Sequence, residues 1–445
     1  MKQDLTVANQ SKASSKDLFQ QACEVLPGGV SRNTIFRRPH PHYAAKAEGC
    51  YVTDIEGIQR IDFANNMASL IHGHTHPAIV QAVTEQLQRG TAFTMGTEVE
   101  LRYAQLLCGR APGFEKIRFV NSGTEAVMAM IKAARAYTGK SKIAKVEGAY
   151  HGSYDFAEVS QTASPDNWGD RDKPASVPVA YGTPESVLND VVIIPFNDPT
   201  RALAILDQYA DELACIIIDP LPHRVCLAPA SEEFIKALYL WTRKNDSLLV
   251  FDEVITFRNY YGGSQENYSV RPDLTSMGKI IGGGFPAGAL AGRTDVMKVL
   301  DPSEGKMLLP HSGTFSANPI TMTAGLIAME LFDQSAVTQL NHLADKARQQ
   351  IEQAIKIADI PACVTGAGSM FRIHLKAEAP QNYREAYMDT KTSGLIKTLI
   401  DYLYDEGCMM INTCTATLST AMTVKEIDHL SEAMLKGFKK IKPLL

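Results

Sequence analysis

Short apolar runs alternate with helix-like patterns through most of the chain from Glu98 onward. The runs have the length and the residue types of strands that are buried on both faces of a sheet. Strands that alternate with helices predict βαβ units, and therefore an α/β fold with a mainly parallel sheet. The predicted strands are residues 117–120, 142–146, 191–195, 214–218, 248–251 and 287–292.

The two ends of the chain show other patterns. Residues 43–63 alternate apolar and polar positions between turn signals, which predicts a small antiparallel sheet. A helix over 17–26, with Ser15 as its cap, is predicted before it. Towards the C-terminus the pattern predicts helices over 77–89, 319–332, 335–358 and 393–406, strands over 371–375 and 417–422, and a last helix after the capping-box pair Thr423 and Glu426.

Composition and charge exclude several classes of binding partner and of site. The formal net charge is −5 and the pI is near 6.1, so no basic surface favours nucleic acid or an anionic membrane as a partner. Eight cysteines without C-x-x-C spacing favour reduced core residues over disulfides or a zinc site. No secretion signal and no membrane-spanning apolar segment is recognisable, so we expect a cytoplasmic protein. No metal site is predicted, because the histidines of the run 72–76 cannot share one helix face.

Candidate chemistry concentrates between residues 248 and 292. The strand at 248–251 ends in two carboxylates, Asp252 and Glu253, where open α/β sheets bind their ligands. Lys279 follows, before the glycine-rich run 282–284. Such an acid and such a lysine suit pyridoxal phosphate: the amine forms a Schiff base with the aldehyde, and the acid holds a proton on the pyridine nitrogen. Taken singly, a strand-end acid also serves as a helix cap or metal ligand, and a lysine near glycines is usually a surface residue.

Two further glycine-containing patterns occur in the sequence. The loose dinucleotide pattern over 282–287 is rejected, because Pro286 interrupts the helix that this pattern requires. Ser122, Gly123 and Thr124 open a predicted helix, with Ser122 and Glu125 at capping-box spacing. The same helix N-terminus offers free N–H groups and a partial positive charge to a phosphate.

Three motifs carry a resemblance to a known family: FDEVITFR at 251–258, SMGKIIGGGFPAGALAG at 276–292 and HSGTFSANP at 311–319. Together they resemble the class III aminotransferases of fold-type I, in the branch of glutamate-1-semialdehyde aminomutase and the β-amino-acid transaminases. The resemblance covers nearly the whole chain, from about residue 26 to the C-terminus. It implies pyridoxal phosphate as cofactor and, as partners, a small-molecule amino donor and an oxo-acid acceptor.

The resemblance also implies an architecture. A large domain with a mainly parallel seven-stranded sheet would bind the cofactor, and a small α+β domain would be formed by both termini. The implied division is a flexible arm (1–14), the N-terminal part of the small domain (15–65), the large domain (66–324) and the C-terminal part of the small domain (325–445). A polar, irregular stretch at 153–189 corresponds to a mobile lid in the aminomutase branch, so we hypothesise a lid there.

Individual roles follow from the resemblance. Lys279 is expected to be the catalytic lysine, and Asp252 to bind the pyridine nitrogen. Thr314 is expected to reach the phosphate in the neighbouring subunit, which implies a homodimer with shared active sites. The other expected cofactor-binding residues are Ser122, Gly123, Thr124, Tyr150, His151, Asn197 and Val254.

The substrate is less well defined by the sequence. Arg32 falls at the spacing of the arginine that binds the substrate carboxylate in β-amino-acid transaminases, although it could equally be a surface residue. The aminomutase acid is absent from 412–416, and so is an arginine common among transaminases. His223 and Arg224 depart from the family's small, glycine-rich turn, and either face solvent or lie at the substrate entrance. An intramolecular aminomutase, and a non-catalytic protein that kept the fold, are the alternatives to a transaminase.

Overall fold

The computed structural model describes residues 13–303 and 305–445. Its strands are β1 (Ala44–Glu48), β2 (Tyr51–Asp54), β3 (Gln59–Asp62), β4 (Lys116–Val120), β5 (Lys142–Val146), β6 (Val191–Ile194), β7 (Leu213–Ile218), β8 (Leu248–Asp252), β9 (Leu274–Gly278), β10 (Gly288–Gly292), β11 (Cys363–Ala367), β12 (Met370–His374), β13 (Cys408–Met409) and β14 (Thr415–Thr417).

Its helices are α1 (Ser15–Val25), α2 (Asn65–Ala68), α3 (Pro77–Leu87), α4 (Glu98–Cys108), α5 (Gly123–Thr138), α6 (Asp155–Glu158), α7 (Glu185–Asn189), α8 (Pro199–Leu206), α9 (Glu232–Lys244), α10 (Thr294–Met297), α11 (Pro319–Leu331), α12 (Gln334–Ala358), α13 (Tyr383–Ala386), α14 (Thr390–Asp405) and α15 (Val424–Ile441).

A seven-stranded sheet forms the centre of the molecule, with the strand order β4-β10-β9-β8-β7-β5-β6. The neighbours from β9 to β6 pair in parallel, whereas β10 pairs antiparallel with both β4 and β9. Every residue of β7, β8 and β9 is buried. This burial explains why β7 and most of β8 are continuous apolar runs without alternation, whereas β9 includes the buried hydroxyl residues Thr275 and Ser276.

Two smaller sheets combine segments from distant parts of the chain. One has the order β1-β2-β3-β13, so a strand near the C-terminus pairs with the N-terminal hairpins, and the other has the order β11-β12-β14. The long helices α12 and α15 pack beside them through buried apolar faces. The predicted α/β fold, with a small unit built from both termini, therefore agrees with the structure.

Two details of the prediction are wrong. The strand expected over 417–422 ends at Thr417, because the chain then turns: Leu418 N–H donates to Ser369 O, and Thr420 N–H donates to Ile71 O. Helix α1 is capped by Ser14 rather than Ser15, whose side chain binds Glu56 instead. Of the expected flexible arm at 1–14, residues 1–12 lie outside the described residues.

The irregular stretch at 153–189 contains two short helices, α6 and α7. It is held against the rest of the molecule by Arg384, whose guanidinium pairs with Glu147 at 2.9 Å and donates to the carbonyls of Trp168, Gly169 and Asp170. All eight cysteines are free thiols. Within the described ranges, no helix is long and apolar enough to cross a membrane.

Candidate active site

One cavity lies at the carboxyl ends of the central strands, where open α/β sheets bind their ligands. Strand ends and the turns after them supply its walls. Its lining residues are Ser122, Gly123, Thr124, Val127, Tyr150, His151, Gly152, Asp219, Asp252, Val254, Ile255 and Lys279. Eight of the predicted site residues are thus brought together from turns that are far apart in the sequence.

Lys279 follows β9 directly and begins a 3₁₀ turn, Lys279–Gly282. Its backbone has φ +51, a left-handed conformation that residues with a side chain rarely adopt and that functional sites often hold. Burial lowers the pKa of the Lys279 amine, while the negative charges of Asp252 and Asp219 oppose this effect. The half-buried Lys279 therefore has an amine of lowered pKa in the field of two carboxyl groups.

Asp252 is the last residue of β8, and its carboxylate is fixed by three groups. Oδ2 lies 2.7 Å from His151 Nδ1, and Oδ1 accepts hydrogen bonds from Ser276 Oγ (3.0 Å) and Val254 N–H (3.1 Å). These contacts hold the Asp252 side chain in one orientation inside a buried site.

His151 is a partner of Asp252, a role that the sequence did not reveal. Burial lowers the pKa of His151, which favours a neutral imidazole that donates from Nδ1 to the carboxylate. Its Nε2 atom is buried and has no hydrogen-bond partner among the described residues. A buried polar atom without a partner at the wall of a cavity is what a bound polar ligand would satisfy.

The second carboxylate of the motif has a different position. Glu253 is fully buried and accepts hydrogen bonds from the N–H groups of Ser264 and Gln265 and from the Gln265 side chain. These contacts hold the turn after β8 and place Glu253 outside the cavity lining. Of the two adjacent acids, Asp252 is the one that faces the cavity.

The turn before α5, where a phosphate site is predicted, forms part of the cavity wall. Ser122 is the N-cap, and its hydroxyl accepts from Glu125 N–H at 3.1 Å. The predicted capping box is half correct, because the Glu125 carboxylate binds Asn121 N–H instead of Ser122 N–H. A Cβ atom at Gly123 would lie 2.6 Å from Val254 Cγ1, so only glycine fits there. The helix N-terminus thus lies at the cavity wall, with no Cβ atom at its first residue and with Ser122 capping Glu125 N–H.

Asp219 is the main residue that sequence reasoning missed. It follows β7, the neighbour of β8, and accepts from Leu221 N–H at 2.9 Å. Burial and the charge of Asp252 raise its pKa well above the usual value. An acid after a buried strand next to β8 was the available signal, but the order of the strands, which places the two acids side by side, is not readable from the sequence.

Asn197 does not line this cavity. Its side-chain Nδ2 donates to Pro229 O at 3.1 Å, and its Oδ1 accepts from Ser231 N–H at 2.9 Å, which joins two loops. The prediction that Asn197 binds the cofactor therefore finds no support in its contacts. Its backbone, with φ +56, shows a turn conformation.

Arg32 and Thr314 also lie outside the cavity lining. Arg32 is exposed, and its Nη1 donates to Asn66 Oδ1 at 2.8 Å. Thr314 lies in a separate groove whose walls include Phe93 and Met95. Neither residue contacts the cavity of its own subunit, so the role of each stays a prediction.

Comparison with known proteins identifies the family. The family model described as aminotransferase class-III matches residues 36–441. The chain belongs to the class III aminotransferase family. It is 38% identical to glutamate-1-semialdehyde 2,1-aminomutase of Methanothermobacter thermautotrophicus, over 84% of this chain and 86% of the relative.

Solved structures show the same fold. An omega-transaminase from Sphaerobacter thermophilus superposes with a TM-score of 0.94 at 43% identity, over 97% of this chain and 99% of that chain. A beta-phenylalanine aminotransferase from Variovorax paradoxus superposes with a TM-score of 0.86 at 30% identity, over 97% and 95%. The predicted family, fold class, enzyme class and pyridoxal phosphate cofactor are confirmed.

Proposed function

We propose that this class III enzyme is a transaminase. It moves an amino group from an amino acid, including a β-amino acid, or from an amine to a 2-oxo acid. The observation that carries this proposal is that Lys279 and Asp252 line one buried cavity, together with the phosphate turn at 122–124. An amine, an anion and a helix N-terminus are the groups that the aldehyde, the pyridine nitrogen and the phosphate of one cofactor molecule require.

Bound pyridoxal phosphate supplies an aldehyde that takes up amines and a ring that withdraws electrons from the reacting carbon. Asp252 would hold a proton at the ring nitrogen, and His151 and Ser276 would keep its carboxylate oriented. Tyr150 and Val254 line the same cavity and would pack against the ring. The hydroxyl of Thr124 and the N–H groups at the start of α5 would bind the phosphate.

Lys279 would both hold the cofactor and move the proton. Its lowered pKa lets the free amine exist in the neutral form, which can take a proton from the substrate carbon and return it elsewhere. Burial of the site excludes water from this transfer. The same residue therefore serves as covalent anchor, base and acid.

We also propose a homodimer with shared sites in the cytoplasm. Thr314 lies in a groove beside Phe93 and Met95, and the exposed fractions of these two side chains are 52% and 81%. Phe315, next to Thr314, is 59% exposed. Large apolar side chains clustered at the surface are typical of an interface. A partner subunit on this groove would bring Thr314 to a second active site.

An intramolecular aminomutase is the second candidate, because the curated relatives include glutamate-1-semialdehyde aminomutases at 38% and 37% identity. Against it, the segment at 412–416 carries no acid. The two reactions differ in their reactants, since an aminomutase converts one substrate without an acceptor and a transaminase requires two.

A donor screen with the holoenzyme tests the proposal. Amino acids, β-amino acids and amines are supplied with pyruvate or 2-oxoglutarate, and separately with no acceptor. We expect multiple turnovers only when both reactants are present, and none with Lys279→Ala. Multiple turnovers of glutamate-1-semialdehyde without an acceptor would favour the aminomutase, and activity retained by Lys279→Ala would contradict both readings.

A further inference from the structure

Arg224 contacts the active-site cavity through Tyr150. Its guanidinium carbon lies 4.5 Å from the centroid of the Tyr150 ring, which is itself part of the cavity wall. The Arg224 side chain is half-buried, and no hydrogen bond or ion pair of its nitrogens is found among the residues that the structure describes. It is thus a partly desolvated cation that lies over the face of an aromatic ring.

Two neighbours of Arg224 each have a buried nitrogen atom without a hydrogen-bond partner among the described residues. Arg372 is nearly fully buried on β12; its Nη1 donates to His223 O at 3.2 Å, but its Nε atom has no partner within the described ranges. His223 packs edge-on against Tyr150 and leaves a buried Nδ1 atom equally unpaired. Burial, together with the positive charges of Lys279, Arg224 and Arg372, lowers the pKa of His223 well below its usual value.

Other buried arginines have partners for their guanidinium groups. Arg60 pairs with Asp54 at 2.6 Å and Arg384 pairs with Glu147 at 2.9 Å, whereas Arg110 and Arg258 donate mainly to backbone carbonyls. Asp219, the acid nearest in sequence, accepts from Leu221 N–H and forms no ion pair with Arg224 among the described residues. A buried positive charge without an anion is costly, so the cluster of His223, Arg224 and Arg372 lacks an anionic partner.

We propose that Arg224, supported by Arg372 and His223, binds the carboxylate of the amino-acid donor and of the oxo-acid acceptor. The inference rests on the proposed transaminase function and names the residues that bind the substrate. A guanidinium matches a carboxylate with two parallel hydrogen bonds and so fixes the orientation of the substrate as well as its charge. The phosphate of the cofactor already has its own turn at 122–124, which leaves a substrate group as the anion for Arg224.

The position of the loop supports this assignment. Residues 221–227 follow the strand β7 that ends beside Asp219, and β12 holds the loop through Arg372 and through His374, whose Nε2 lies 3.1 Å from Cys226 O. Leu221 and Leu227 pack with Met370 and with Ile255, a residue of the cavity wall. The cationic cluster is therefore fixed beside the cavity by two strands of different sheets.

The test uses the first half-reaction of the holoenzyme, in which a donor alone changes the visible absorbance of the bound cofactor. The donors are 3-amino-3-phenylpropanoate, which carries a carboxylate, and 1-phenylethylamine, which does not. For Arg224→Met we expect a roughly 10- to 100-fold rise in the donor concentration at half-maximal rate for the first donor, and a change within about twofold for the second. Arg224→Lys, which keeps the charge without the planar fork, should lie between them.

Arg135→Met is the matched control, because Arg135 also stacks on an aromatic ring, at 4.0 Å from Phe156, and lies away from the cavity lining. Equal losses on both donors in Arg224→Met and Arg224→Lys would overturn the proposal and leave Arg224 a packing role. Weaker retention of pyridoxal phosphate would assign Arg224 to the cofactor instead. Selective loss in Arg32→Ala but not in the Arg224 variants would move the anchor to Arg32. No response of the wild type to any donor would contradict the transaminase function itself.

Discussion

At the cofactor end of the cavity (residues 122–124, His151, Asp252 and Lys279), the carboxylate of Asp252 has three bonding partners within 3.1 Å. At the cluster of His223, Arg224 and Arg372, by contrast, the Arg224 guanidinium lies over the Tyr150 ring and has no hydrogen-bond or ion-pair partner among the described residues. The residues at the cofactor end follow strands of the central sheet. His223 and Arg224, in contrast, lie on a loop that contacts β12 of another sheet. The contacts of Asp252 therefore lie within the protein, whereas Arg224 has no such partner, which is why we propose that a substrate carboxylate binds it.

Asp252→Asn should give the largest effect, because an amide cannot hold a proton on the ring nitrogen as an anion does. We expect kcat to fall on the order of 10³-fold. Glu253→Gln is the control, since Glu253 accepts from two backbone N–H groups outside the cavity; its loss should lower the unfolding temperature instead of the rate of the folded holoenzyme. Comparable kcat values for the two variants would remove the distinction between these acids.

Arg384→Met should have the next largest effect, on the segment at 153–189. Removing one partner of the buried Glu147–Arg384 pair costs about 3 kcal/mol and frees the carbonyls of Trp168, Gly169 and Asp170. Amide hydrogen exchange in that segment should accelerate on the order of 100-fold.

Arg201→Met supplies the matched control, because Arg201 binds Asp172 of the same segment through a pair in which the Asp172 side chain is 78% exposed. Such a pair is worth less than about 1 kcal/mol. Unchanged exchange in Arg384→Met would show that this segment is not held by the ion pair, and would weaken its interpretation as a lid.

The same contrast explains what the sequence could predict. Asp252, Lys279 and the turn at 122–124 lie at the ends of periodic apolar runs, so local pattern and chemistry agree, and the family motifs are contiguous. Asp219 was missed because its role depends on β7 lying beside β8. His151 was placed at the site, but its bond to Asp252 joins two strands that are not neighbours in the sheet.

The arrangement of His223, Arg224 and Arg372 was less predictable for a related reason. His223 and Arg224 depart from the family pattern, but the pattern favours solvent exposure over a position at the substrate entrance. Tyr150 and Arg224 follow β5 and β7 of the central sheet, whereas the buried Arg372, which donates to His223 O, lies on β12 in a separate sheet. The cofactor role of Asn197 stays a prediction, because a helix-starting turn in the sequence does not show which of its side chains faces the cavity.

Gly123→Ala tests how closely the cofactor end is packed. The added Cβ would lie 2.6 Å from Val254 Cγ1, so Val254 must move into the cavity at a cost of about 1–3 kcal/mol. We expect pyridoxal phosphate to dissociate roughly tenfold more readily, measured by dialysis and reconstitution. Gly394→Ala, on helix α14 with no atom within 4 Å of the new Cβ, should retain the cofactor as the wild type does. Equal retention in both variants would argue against close approach of the phosphate to this turn.

Lys145 connects the turn before Tyr150 with the segment at 153–189. Its Nζ donates to Ala149 O and to Val159 O. Burial lowers the pKa of Lys145 to about 7, well below the value of about 10.4 in an unfolded chain. Between these values the unfolded state binds up to one proton more than the folded state, so the free energy of unfolding rises with pH. Below pH 7 both states are protonated, and the cost of burying the charge is fully present.

Lys145→Met should therefore reduce the pH slope of the free energy of unfolding by up to about 1.4 kcal/mol per pH unit between pH 7.5 and 9.5. Urea titrations of the holoenzyme at several pH values measure this slope. Lys142→Met, on the same strand with its amine paired to Glu212 at 3.4 Å, controls for the loss of one lysine. Parallel slopes for the wild type and Lys145→Met would show that Lys145 has the same pKa in the folded and the unfolded state. The contacts of its amine with Ala149 O and Val159 O would then not require a neutral amine.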